Sequence, residues 1–211
     1  MNRVMSGIDH HVSSRSTAPR SFAVTFDYRC PFARNVHEHL LDGLAEGADW
    51  DVQFTPFSLA AAKEPTWDRQ QDTGLLALEV AIAVRDTQPD RFADVHRALF
   101  ALRHDHGGKL RERDVLASVL ADAGADVEAA LAEVDSGVPL KTVRAEHEAA
   151  EREHTVWGVP TFIADGNAVF VRLMERPATA DVRGAAAIDR ILDLVTGWVE
   201  LNEFKHTSLP R

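Results

Sequence analysis

The order in which strand and helix signals follow one another constrains this chain more than any single residue does. Phe22-Ala23-Val24-Thr25-Phe26 is a short apolar, β-branched run closed by Asp27 and Pro31, which predicts a buried strand. From Pro31 the period changes. Phe32, Val36, Leu40, Leu41 and Leu44 fall on one helix face, Pro31 suits a first helical turn, and Gly47 is a natural stop. Asp51–Phe57 alternates and reads as a second strand, completing a βαβ unit. Residues 74–155 then carry no strand signal. They predict five helices, Leu75–Thr87, Pro89–His104, Arg113–Ala123, Val127–Val134 and Val138–His154, with Asp114 and Asp126 as N-caps. Strand texture returns in Val159–Ala164 and Ala168–Leu173, joined through Asp165-Gly166-Asn167, before a last helix over Ala185–Val199. An α/β fold follows: a four-stranded sheet flanked by helices, interrupted by an inserted all-helical subdomain. The expected division is a tail over 1–20, the first half of the α/β domain over 21–62, the helical insertion over 63–155, the second half over 156–200, and a C-terminal tail over 201–211.

Charge and cysteine usage narrow the chemistry. The chain has 23 Lys+Arg against 33 Asp+Glu, a formal net charge of −10, which speaks against a nucleic-acid binder that works by neutralising phosphates. No apolar run reaches the roughly 18 residues of a membrane helix, and the longest, Leu75–Val84, is broken by Glu79. Neither a nucleic-acid nor a membrane partner is therefore expected. Residues 1–20 lack the apolar core of an export signal, so the expected compartment is the cytoplasm, which also suits a lone thiol. The single cysteine, Cys30, excludes any intramolecular disulfide, multi-cysteine metal site or dithiol chemistry within one chain.

Cys30 falls between the first strand and the first helix. Unpaired amides and the macrodipole favour an anion at a helix N-terminus, so a lowered thiol pKa is expected there. Arg29 and Arg34 flank it and are expected to add positive potential. Far along the chain, Pro160 opens a strand where a missing N–H is unwelcome. A cis Val159–Pro160 bond beside a site and a trans proline on an edge strand both account for it. No metal site is expected. His37 and His39 lie on different faces of their helix, and His96, His104, His106, His147 and His154 include no i, i+4 pair; only His104-Asp105-His106 has any ligand character. The charged run from Glu146 to Glu153 reads as a solvated face.

Phe26-Asp27-Tyr28-Arg29-Cys30-Pro31-Phe32-Ala33, followed much later by Trp157-Gly158-Val159-Pro160-Thr161-Phe162, resembles the DsbA-like thioredoxin-fold superfamily. Within it the chain looks like the FrnE-type oxidoreductases, the kappa-class glutathione transferases and the 2-hydroxychromene-2-carboxylate isomerases. The resemblance implies a thioredoxin-like domain around a helical insertion, with Val159-Pro160 as the cis-proline element facing Cys30. One departure stands out: those oxidoreductases carry a second cysteine three positions after the first, and here that residue is Ala33.

The resemblance implies a thiol-dependent oxidoreductase or transferase working through one thiolate. Cys30 would be the catalytic nucleophile, and Arg29, Pro31, Phe32, Arg34, Trp157, Val159, Pro160 and Arg172 would line the substrate site. No cofactor would be tightly bound. Glutathione or another low-molecular-weight thiol would act as co-substrate, the partner would be a small-molecule or peptide thiol, and a homodimer is compatible with the family. The substrate would sit between the thioredoxin-like domain and the insertion. Two other readings stay open: an isomerase or transferase in which Cys30 only positions a cofactor thiol, and a non-enzymatic descendant that binds a peptide or small molecule.

Overall fold

The computed structural model describes residues 18–177 and 183–208. Much of the expected N-terminal tail lies outside the described residues, and Arg20, assigned to that tail, already belongs to a strand. Four strands form one sheet: β1 (Arg20–Phe26), β2 (Trp50–Pro56), β3 (Thr161–Ala164) and β4 (Asn167–Phe170), in the order β2-β1-β3-β4. β1 runs parallel to β2, with Val24 beside Phe54, and antiparallel to β3, with Val24 beside Phe162. Val24, Thr25 and Phe26 are all fully buried. Both faces of β1 are therefore covered at its C-terminal end, which is where Cys30 follows.

Helix α1 (Pro31–Ala45) packs on β1 and against the last helix, α7 (Arg183–Gly197). Their approach depends on Gly43, where an added Cβ would lie 2.5 Å from the Trp50 ring. Trp50 in turn donates from Nε1 to Asp189 of α7 at 2.9 Å, and Arg20 pairs with Asp189 and Asp193. Gly43→Ala should therefore lower stability by about 1–3 kcal/mol through overpacking, although alanine favours a helix by up to about 1 kcal/mol. Urea unfolding would show this as a lower midpoint at unchanged slope. A variant as stable as the parent would contradict the close approach.

The helical block consists of α2 (Leu75–Thr87), α3 (Pro89–His104), α4 (Arg113–Asp122), α5 (Val127–Ser136) and α6 (Val138–His154). Every residue from Leu75 to Val84 is buried, so the continuous apolar run marks the central helix of this block. Glu79 within it is fully buried and held by Arg69 at 2.7 and 2.5 Å. Asp126 caps α5 by accepting from the Ala129 amide. Asp114 does not cap α4: the N-cap is Glu112, and Asp114 sits in the first turn. The 146–153 run is not wholly solvated either, because Glu146 pairs with Arg85 of α2 at 2.7 Å.

The second strand pair is shorter than its apolar pattern. Val159 and Pro160 precede β3, and residues 171–173 leave β4 for an irregular segment. That segment runs along α1: Asn35 donates to the Leu173 carbonyl at 2.8 Å, and Arg176 pairs with Glu38 at 2.5 Å.

Candidate thiol site

The turn Asp27-Tyr28-Arg29 carries the chain from β1 into α1. It closes through Cys30 N–H donating to the Asp27 carbonyl at 3.0 Å. Cys30 is the N-cap of α1 and keeps extended backbone, with φ −91° and ψ 117°. Its sulfur takes the role a serine or aspartate oxygen plays at most N-caps, accepting from the Ala33 amide at 3.4 Å. The thiol donates to the Val159 carbonyl at 3.3 Å. The Val159–Pro160 peptide is cis. This loop is anchored on both sides: Thr161 N–H donates to Thr25 Oγ1 at 2.9 Å, and Thr161 Oγ1 donates to the Gly158 carbonyl at 2.8 Å. Two segments far apart in sequence thus meet at one sulfur, and Cys30 is 8% exposed.

The electrostatics differ from the expectation of a lowered thiol pKa. Burial pushes the Cys30 thiol up, the Ala33 and Phe32 amides pull it back only in part, and the Asp27 charge pushes it further up. The positive potential expected from the flanking arginines is cancelled. Arg29 pairs with Asp27 at 2.5 Å and with Asp72 at 2.9 Å. Arg34 pairs with Glu38 at 2.9 Å and also with Asp105. Both guanidiniums already hold carboxylates.

The remaining expected residues divide in two. The Val159 carbonyl faces the sulfur, Pro160 follows it across the cis peptide, Phe32 lies in the first turn of α1, and Pro31 is exposed at the start of that helix. Arg172 is exposed and lies over the Phe32 ring, 5.3 Å from its centroid. Trp157 is 68% exposed and leans on Phe170, with ring centroids 4.7 Å apart. Grooves do lie between the sheet and the insertion, as expected, but away from the thiol. Two grooves, of 530 and 400 Å³, run along β2 toward α6 and α2, and neither is lined by Cys30, Trp157, Val159 or Pro160.

Two buried polar assemblies behind the thiol escaped the sequence reading. In the first, Asp27 and Asp72, both fully buried, share Arg29. Asp27 also accepts from the Arg29 and Leu59 amides, and Asp72 from the Gly74 amide and Ser58 Oγ. Gly74 is required here, since a Cβ would come within 2.7 Å of Arg29 Nε. The spacing Asp27-x-Arg29 was the available signal.

In the second, Tyr28 Oη lies 2.7 Å from His96 Nδ1, His96 Nε2 lies 2.9 Å from His37 Nδ1, and His37 Nε2 lies 3.2 Å from the Thr25 carbonyl. The carbonyl fixes every proton in this chain. His37 must donate from Nε2, so its Nδ1 accepts; His96 must then donate from Nε2 and accept at Nδ1 from the tyrosine. All three side chains are fully buried, and burial pushes His37 down to about 3 and His96 well below its usual range. Searching histidines for metal-ligand spacing cannot find such a chain, because its side chains come from the turn after β1, from α1 and from α3. The signal was His96 on the apolar face of α3, beside Phe92, Leu99 and Phe100. His104 donates from Nε2 to the Tyr28 carbonyl at 2.9 Å, so its cluster also serves the thiol turn. Among the described residues, no group of three or more metal-ligating side chains converges.

Comparison with known proteins places the fold. The chain matches the DSBA-like thioredoxin domain over residues 23–192. It is similar to DsbA1 from Neisseria meningitidis, with a TM-score of 0.56 at 21% identity, covering 87% of this chain and 88% of that one. It is also similar to α-DsbA2 of Wolbachia pipientis, described as a thiol-disulfide exchange protein (TM-score 0.58, 14% identity, 86% and 84% covered). Pseudomonas aeruginosa DsbA gives 0.54 at 19% identity over 85% and 83%. No curated protein matches.

Proposed function

The chain belongs to the DSBA-like thioredoxin-domain family, and on that premise we propose that it performs single-thiol exchange at Cys30. One observation carries the reading. The sulfur sits between a helix N-terminal amide and the carbonyl of the cis Val159–Pro160 peptide, where an incoming disulfide can align beside exposed Pro31. Cys30 loses its proton to solvent, and the thiolate attacks one sulfur of the partner disulfide. A mixed disulfide forms, and the other half leaves as a thiolate that takes up a proton. With Ala33 in place of a second cysteine, release falls to an external thiol, which attacks the bound sulfur and returns Cys30 as a thiol. A low-molecular-weight thiol such as glutathione, or a peptide thiol, would fill that role, in the reducing cytoplasm that a lone thiol suits.

Incubation with glutathione disulfide followed by intact-mass measurement tests the reading. One glutathione adduct should appear, be lost on adding reduced thiol, and be absent in Cys30→Ser. A parent protein that never acquires the adduct would remove the proposal. The raised thiol pKa sets the pH dependence. Alkylation by iodoacetamide at pH 7 should be slower than for a free cysteine, and the rate should climb with a midpoint above about 8.5.

The neutral, hydrogen-bonded state of the thiol favours a second reading, in which the same cleft binds a peptide or small molecule without turnover. Undiminished ligand binding by Cys30→Ala, with no exchange by the parent, would select it. Turnover that survives Cys30→Ser would instead select a Cys30 that only positions a cofactor thiol.

A further inference from the structure

Four arginines stand around the thiol turn, and three are neutralised. Arg29 is held by Asp27 and Asp72, Arg34 by Glu38 and Asp105, and Arg176 by Glu38, with Asp105 at 3.6 Å. Arg172 differs. Among the described residues it makes no hydrogen bond or ion pair, and its guanidinium lies over the Phe32 ring, 5.3 Å from the centroid. Stacking on an aromatic face immobilises a guanidinium while leaving its in-plane N–H donors free, the geometry that takes a carboxylate. Phe32 also lies in the first turn of α1, beside Ala33, whose amide donates to the Cys30 sulfur. The stacked cation and the thiol are thus tied to the same first turn of α1. The segment carrying Arg172 is fixed to that helix by Asn35 and Glu38.

We propose that Arg172 selects an anionic group, a carboxylate above all, on the molecule that reacts with Cys30. This rests on the exchange reading only in naming the substrate; the charge preference itself belongs to the thiol. The field of the whole chain argues the other way. With a net charge of −10, a thiol without a local cation should prefer neutral and cationic reagents. A preference for anions therefore has to come from the site.

Alkylation by iodoacetate and iodoacetamide, which differ in one negative charge, tests the preference without any disulfide chemistry. The ratio of their rate constants, normalised to free cysteine, should exceed one in the parent. It should fall about two- to threefold in Arg172→Gln, the scale of one unit charge removed from within about a Debye length in water, and be retained in Arg172→Lys. Added salt should lower it toward the Gln value. The iodoacetamide rate reports whether the fold around the thiol is intact. The same three proteins are then treated with anionic dithiodipropionate and cationic cystamine. An anionic preference in alkylation without any mixed disulfide would overturn the exchange reading and leave this one standing. A parent ratio at or below one, a ratio that ignores Arg172, or a Cys30 inert to both reagents would overturn the proposal.

Discussion

Lowering the pH from 7 to 4 should destabilise this protein by several kcal/mol, well before ordinary carboxylates account for such a loss. The cause is the chain Tyr28–His96–His37–Thr25. Each imidazole accepts at Nδ1 and donates at Nε2, so His37 cannot take a second proton without opposing two N–H donors, and His96 cannot without turning the tyrosine hydroxyl from donor to acceptor. Burial adds to this: His37 stays neutral to about 3, and His96 is pushed down by burial, by His37 and by Arg97. In the unfolded chain both histidines bind protons near pH 6.5. Below that pH the unfolded state holds more protons than the folded one, and stability falls as the pH falls. The contribution is complete above about 6.5 and is lost toward about 3 for His37, at about 1.4 kcal/mol per pH unit, with His96 adding a second slope of the same sign. Against a total of roughly 5–15 kcal/mol, that is enough to unfold a domain of modest stability near pH 4. Urea unfolding at half-unit pH steps would measure it. The variant Tyr28→Phe/His37→Leu/His96→Leu removes donors and acceptors together, so most of its stability at pH 7 should survive while the acid slope flattens. An unchanged slope in that variant would show that the histidines already carry protons in the folded state. His96→Leu alone is different, because it strands the Tyr28 hydroxyl and His37 Nδ1, and should cost about 1–3 kcal/mol at pH 7.

The same chain marks the boundary of what the sequence discloses. Periodicity is a local property, and elements that owe their form to local pattern were legible. Helices α2, α3 and α6 begin and end where apolar spacing, Gln88-Pro89 and Gly137 place them. The β3–β4 hairpin follows from Asp165-Gly166, both with positive φ. Cys30 and Val159-Pro160 were legible as singular residues at element junctions. What pairs with what was not legible. Arg29 and Arg34 read as free charge beside a thiol because the sequence shows their neighbours along the chain, whereas Asp72 and Asp105 reach them across the fold. The thiol pKa was misjudged for the same reason. A helix N-terminus is visible in sequence, but the burial that outweighs it is a property of packed elements. Val171 and Leu173 continue an apolar alternation, yet only Val171 N–H still reaches the partner segment, at the Pro160 carbonyl 3.1 Å away, and beyond it the chain is drawn along α1 by Asn35 and Glu38.

Arg29→Met should cost about 3–5 kcal/mol at pH 7, as for other buried ion pairs that lose one partner. The methylene stem is preserved, and what disappears is the cation that Asp27 and Asp72 share, with both carboxylates fully buried. Their backbone and hydroxyl donors remain: the amides of residue 29, Leu59 and Gly74, and Ser58 Oγ. These donors do not replace the cation between two like charges in one dry cradle. Asp27→Asn/Arg29→Met/Asp72→Asn removes the charge altogether and should lie closer to the parent at pH 7 than the single variant does. Chemical unfolding of the three proteins at pH 7 separates these outcomes. A single variant that loses less than about 1 kcal/mol would mean that water reaches the cradle and that Arg29 does not hold the turn beneath Cys30.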